Sequence, residues 1–84
     1  MENNVQGLIP GKVDKEHLDF LVRFARIRSE TIVAALQSYF VEGLTQREAI
    51  DRYQVNQSQL SQKVAEIREV SDQVRLAAKY YTSE

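Results

Sequence analysis

The stretch from Leu44 to Ile67, LTQREAIDRYQVNQSQLSQKVAEI, constrains this chain more than any other, because it carries two helix-start signals with an apolar residue between them. Thr45 is a good N-cap, and Glu48, three residues on, can reach back to the cap's own N–H. Thr45-Gln46-Arg47-Glu48 therefore reads as a capping box, and a helix begins near Gln46. Ala49, Ile50 and Tyr53 give that helix an apolar stripe, and Val55 sits just past it as a plug that pins the turn. Asn56 is the next cap. Leu60, Val64 and Ile67 then recur at spacings of four and three, which buries one side of a second helix and leaves Gln57, Ser58, Ser61 and Gln62 outward. The expectation is a helix-turn-helix.

The residue types on that outward face point to a groove of DNA. Gln and Ser carry donors and acceptors on short neutral stems, and Gln can pair bidentately with adenine. A face that is merely solvated more often carries Glu and Lys. The bland alternative is a helical hairpin with exposed polar residues. One position departs from the usual pattern: the turn residue most often glycine in such motifs is Gln54 here, and a left-handed backbone costs a non-glycine residue roughly 1 kcal/mol.

With 84 residues the chain suffices for one domain with one small core. It has 43% hydrophobic residues, three Gly and one Pro, and is rich in Leu, Ala, Val, Gln and Glu, so it favours helices over strands. The expected class is all-α, a small helical domain of four to five helices containing the helix-turn-helix. The sequence has no cysteine, hence no disulfide framework, thiolate metal site or thiol nucleophile, and a reducing cytoplasm is compatible. No apolar run approaches the roughly 20 residues of a membrane span, and the start lacks a positive region leading a hydrophobic stretch. A soluble, unexported chain is expected.

A net charge of −1 gives no general attraction to phosphate. Charge placement softens this, since Arg23, Arg26 and Arg28 cluster. Within the central stretch Arg47, Arg52, Lys63 and Arg68 stand against Glu48, Asp51 and Glu66, leaving it slightly positive. One copy is expected to bind DNA weakly, so that several linked copies are needed.

In chain order, residues 1–13 form an arm or turn. Met1 to Gln6 is polar and expected to fray, while Leu8 and Ile9 in the turn-forming Gly7-Leu8-Ile9-Pro10-Gly11 pack on the core or on a neighbour. Supporting helices fill 14–43. Asp14 caps the first, whose stripe is Leu18, Leu21, Val22 and Ala25, with Phe20 and Phe24 to one side. Those two rings either broaden the core face or form an oligomer contact. His17 stands alone, too isolated to imply a metal site. Ser29 caps the next helix, which carries Ile32, Val33, Leu36, Tyr39 and Phe40 before Gly43 supplies a left-handed terminus. The helix-turn-helix occupies 45–68. After it Val74, Ala77, Ala78 and Tyr81 stay in phase without Gly or Pro, so one long helix is an option. A break near Ser71-Asp72 is preferred, with a separate C-terminal helix over 71–81, because Ser caps well and a helix of some 24 residues is hard to cover in a domain this small.

Leu8-Ile9-Pro10-Gly11, the cap and stripe before Gly43, Tyr53-Gln54-Val55-Asn56 and the closing Tyr80-Tyr81 together resemble the PapB-type family of fimbrial (adhesin) transcriptional regulators, from about Leu8 to Thr82. The resemblance implies a small bacterial all-helical protein that binds AT-rich double-stranded DNA upstream of fimbrial genes and assembles as several copies. It also meets the Gln54 objection, since similar sequences carry Gln there. It implies an approach to the minor groove, whereas the side-chain chemistry alone suits Gln57 and Gln62 to the major groove.

Two classes of function remain. In the first, a cytoplasmic, nucleoid-associated regulator, Asn56, Gln57, Ser58, Ser61, Gln62 and Lys63 approach bases or sugar while Arg28, Gln46 and Arg47 hold phosphates. Homo-oligomer contacts are then expected at Leu8, Ile9, Phe20, Phe24, Tyr80 and Tyr81, because so small a domain cannot bury all its aromatic rings in one core. In the second, the same fold is a helical protein-interaction module without DNA contact. An enzyme is the weakest reading: no nucleophile-base pair, paired carboxylates, phosphate-cradling Gly loop or metal cluster is present in the sequence, and no cofactor or small-molecule substrate is implied.

Overall fold

Short polar residues precede the α-helices, and at Asp14, Ser29 and Thr45 the backbone turns from extended to helical. The computed structural model describes residues 8–82. The first helix, α1 (Lys15–Ala25), follows Asp14, whose backbone is extended as a cap requires; its carboxylate makes no capping bond, so that expectation holds for the position and not for the side chain. At α2 (Glu30–Gln37) the Ser29 hydroxyl accepts from the Ile32 amide. The helix then widens into a π-turn (Ser38–Glu42), closed by Gly43 at φ +89°. Thr45 and Glu48 form the expected capping box on α3 (Gln46–Tyr53), with bonds of 3.0 and 2.9 Å. Finally α4 (Gln57–Thr82) starts where the Asn56 carboxamide oxygen accepts from the Gln59 amide. The described residues contain no strand, and the fold is all-α.

The last element overturns one expectation. No break occurs at Ser71-Asp72, and no separate helix spans 71–81: α4 is continuous for 26 residues, a rod of about 39 Å. Ser71 does not cap because it falls on the core-facing stripe and is itself buried. A helix interrupted there would leave backbone groups to satisfy, whereas an unbroken one satisfies them internally. The difficulty of covering so long a helix is met by not covering it. Leu76 and Tyr80 remain 55% and 80% exposed near its end.

The core forms where the stripes of the helices meet. Leu18, Leu21 and Val22 from α1, Ile32, Ala35 and Leu36 from α2, and Phe40 from the π-turn close against Ala49 of α3 and Leu60, Val64 and Ile67 of α4. Val55 is half-buried against this cluster and plugs the turn between α3 and α4 as expected.

The N-terminal segment is docked rather than free. Gly11 and Val13 both donate to the Phe40 carbonyl, at 2.8 and 3.2 Å. A side chain on Gly11 would bring a Cβ within 3.1 Å of the Gly43 Cα, so two glycines, each at positive φ, let the segment cross the end of the π-turn. Arg68 of α4 completes the attachment. Its guanidinium donates to the Leu8 carbonyl at 2.6 Å and to the Tyr39 hydroxyl at 3.4 Å, and lies over the Phe40 ring 5.4 Å from the centroid. The expectation that Met1 to Gln6 frays lies outside the described residues.

Candidate nucleic-acid interface

The three residues between α3 and α4 decide how the polar face is presented. Gln54 takes the left-handed conformation that the turn demands, at φ +57°, and its side-chain amide folds back to donate to the Asp51 carbonyl at 3.0 Å. That local bond offsets part of the strain a non-glycine residue carries there. From this turn α4 leaves with Leu60, Val64 and Ile67 inward and Gln57, Ser58, Ser61 and Gln62 exposed.

The candidate contacts fall into one group and one outlier. The Ser61 hydroxyl donates to the Gln46 carboxamide oxygen at 3.1 Å, tying the outward face of α4 to the start of α3. Gln46, Arg47 and Gln57, with Ile50 and Asp51, line a cleft of about 230 Å³ between the two helices. Asn56 lies at the mouth of α4 with its side-chain oxygen committed to the cap. Arg28 is exposed in the connection between α1 and α2, and among the described residues no bond links it to α3 or α4.

The positive charge of this region is more localised than the sequence count suggests. Arg52 lies 3.7 Å from Glu42, Lys63 pairs with Glu66 at 3.2 Å, and Arg68 is turned onto the N-terminal segment. Arg47 is exposed and has no ion-pair partner among the described residues. Of the two arginines on α3, it is the one without a carboxylate partner among the described residues. The partners of Arg68 were not legible because Leu8 and Tyr39 lie far from it in the chain. An arginine placed directly after Ile67 of the Leu60-Val64-Ile67 stripe is the one sequence signal that could have raised the question.

Of the expected oligomer contacts, Phe20 and Phe24 are exposed, 50% and 57%, with ring centroids 6.0 Å apart. They do not broaden the core. Ile9 and Tyr80 are exposed, whereas Leu8 is half-buried against the core; the side chain of Tyr81 lies outside the described residues. His17 is exposed, and no metal-holding group of His, Cys, Asp or Glu occurs among the described residues. No described helix is long and apolar enough to cross a membrane.

A family model described as "Adhesin biosynthesis transcription regulatory protein", PapB, matches residues 1–81. The chain belongs to this family. It is 41% identical over 64 residues to the regulatory protein FanB of Escherichia coli, a match covering 76% of this chain and 65% of FanB. It is 27% identical over 77 residues to the "Major pilu subunit operon regulatory protein PapB" of Escherichia coli, covering 92% of this chain and 74% of that one. Thus the chain spans somewhat less than two thirds of FanB's length. Among solved structures it is similar to E. coli FocB, determined at 1.4 Å, with a TM-score of 0.81 and 25% identity, covering 90% of this chain and 86% of that one. These relatives are regulatory proteins, not enzymes.

Proposed function

We propose that the chain is a transcriptional regulator of a fimbrial or adhesin operon, acting on AT-rich DNA at the bacterial nucleoid in the cytoplasm, with α3 and α4 as a helix-turn-helix. The observation that carries this is the face of Gln57, Ser58, Ser61 and Gln62. It is exposed, neutral and rich in donors and acceptors, and it is held from behind by the buried Leu60, Val64 and Ile67. Family membership supports the regulatory role. Base edges or sugars meet this face and the free amide of Asn56, Lys63 adds charge at its rim, and Gln46 and Arg47 hold phosphates beside it. Arg28 serves a phosphate from outside the cleft. The test is a shift assay on AT-rich and mixed duplexes at two salt concentrations. Binding through phosphates weakens as salt rises, and preference for AT-rich duplexes is expected to persist. Salt-independent retention, or none at all, would overturn the reading.

A second part of the proposal is assembly as a homo-oligomer. A single module buries only roughly 600–1,000 Å² on DNA, and this one carries little free positive charge, so neighbouring copies must add contacts. The outer face of α1 suits a second copy. Glu16 lies near its start and Arg23 near its end, with Phe20 between them and Phe24 just past Arg23. Two such helices packed antiparallel about a two-fold axis bring Glu16 of each toward Arg23 of the other, with the Phe20 rings near the axis and the Phe24 rings at the ends of the contact. Exposed Ile9 and Tyr80 offer further surfaces for longer assemblies.

A further inference from the structure

Ser38 is fully buried, a polar side chain set within an apolar core. Its hydroxyl is 3.0 Å from the hydroxyl of Tyr53, and either oxygen can be the donor. Its backbone carbonyl is also unusually busy. In the widened helix it accepts from the Gly43 amide and from the Leu44 amide, the latter at 2.9 Å. One residue therefore anchors the chain leaving the π-turn and, through its side chain, the far end of the next helix. Tyr53 is the last residue of α3, and the left-handed Gln54 follows it at once. The start of α3 is fixed separately by the Thr45-Glu48 capping box. The hydroxyl pair fixes the other end, one residue before the turn that aims α4.

Stability alone does not call for these hydroxyls. Ala and Phe in their place would fill nearly the same space with no polar group to satisfy, and such paired replacements are nearly neutral. What a hydrogen bond adds is a set distance and direction, which apolar contact lacks. We propose that the Ser38–Tyr53 hydroxyl pair is a positioning latch: it holds the C-terminal end of α3 and so fixes the angle at which the polar face of α4 meets a duplex. This rests on the DNA-binding reading above. Neither residue touches the nucleic acid, and both act through the turn at Gln54 to Asn56.

The free protein is tested first, by hydrogen exchange in Tyr53→Phe, which removes one hydroxyl at a half-buried position and leaves the ring. The Gln54 amide, bonded to the Ile50 carbonyl, is expected to exchange roughly tenfold faster, the equivalent of one hydrogen bond, while the Val64 amide is unchanged. Unchanged exchange at Gln54 would overturn the latch. The double variant Ser38→Ala/Tyr53→Phe is then melted and titrated onto a synthetic AT-rich duplex. Parental melting with roughly tenfold weaker binding and an unchanged salt slope supports positioning. Parental binding, or a binding loss no larger than the loss of stability accounts for, makes the pair merely structural and ends the proposal. Gln57→Ala/Gln62→Ala in the same titration separates the two ideas: if it binds as the parent does, the DNA face is wrongly assigned, and the exchange result on the free protein still decides the latch.

Discussion

From Gln57 to Arg68, α4 gives Leu60, Val64 and Ile67 to the core; beyond the half-buried Val74, which still packs against it, Leu76 and Tyr80 turn outward. The same helix is thus held along one face at its start and stands proud of the body at its end, where the Arg75–Asp72 contact of 2.5 Å gives local support. An unsupported helix of a few turns is marginal in water. Polar side chains that must meet a base edge with hydrogen-bond precision gain from the first situation, because their backbone cannot move. Apolar side chains left in the second situation are useful only if something covers them. Under the proposed function, the held half is the one for recognition and the projecting half the one for assembly.

Truncation of core and projecting leucines breaks this comparison most directly. Leu60→Ala empties space behind the polar face and is expected to cost about 2–5 kcal/mol of unfolding free energy. Leu76→Ala is expected to change it by less than about 0.5 kcal/mol. Denaturant unfolding of the two variants at equal protein concentration measures both. Comparable losses would mean that the distal half is packed as firmly as the proximal one.

Next in size is the effect on DNA binding. Gln57→Ala/Gln62→Ala is expected to weaken binding by on the order of 1–3 kcal/mol, the value of a good bidentate base contact, with the unfolding midpoint unchanged. Gln73→Ala, the same chemistry on the projecting half, is the control. A loss of similar size from Gln73 would place the DNA elsewhere along α4.

What could be read beforehand follows the range of the interactions. The capping box, the Ser29 cap, the left-handed Gly43 and Gln54 and the Leu60-Val64-Ile67 stripe all arise from residues within four positions of one another, and each was legible as pattern. The Ser38–Tyr53 bond spans 15 residues and Arg68 to Leu8 spans 60, and no periodicity announces either. Ser71 shows how a local signal misleads. Its capping propensity suggested a break, but it sits on the stripe that binds α4 to the core, and tertiary packing overrode the propensity. The polar face was legible as a face; its partner is a proposal, because exposure alone does not name what is touched.

A smaller energetic effect is expected on α1. Phe20→Ser/Phe24→Ser replaces exposed rings, so unfolding of the single chain at low concentration is expected to stay within about 0.5 kcal/mol of the parent. Light scattering and DNA titration are where the change is expected: a lower mean mass, and loss of steep filling on duplexes carrying several sites. A parental mass would move the self-contact to the Leu8-Ile9 segment or the Tyr80-Tyr81 end, which truncation before Tyr80 then tests.

The smallest predicted effect separates two arginines that count alike in the charge balance of the central stretch, of which only Arg47 is expected from the sequence to hold a phosphate. Arg47 is exposed beside the Gln46–Gln57 cleft and pairs with no carboxylate among the described residues, whereas Arg68 spends its donors on the Leu8 carbonyl and the Tyr39 hydroxyl. Each phosphate neutralised by a side chain contributes roughly one unit to the dependence of binding on the logarithm of salt concentration. Arg47→Ala is therefore expected to lower that slope by about one unit, to weaken binding to AT-rich and mixed duplexes alike, and to leave folding untouched. Arg68→Ala is expected to do the reverse, reducing stability through the lost bonds while keeping the slope, because a guanidinium held over the Phe40 ring is not available to a phosphate. Titrations at three salt concentrations for both variants decide the matter. A slope that falls with Arg68 and not with Arg47 would place the phosphate backbone against the N-terminal segment rather than against α3.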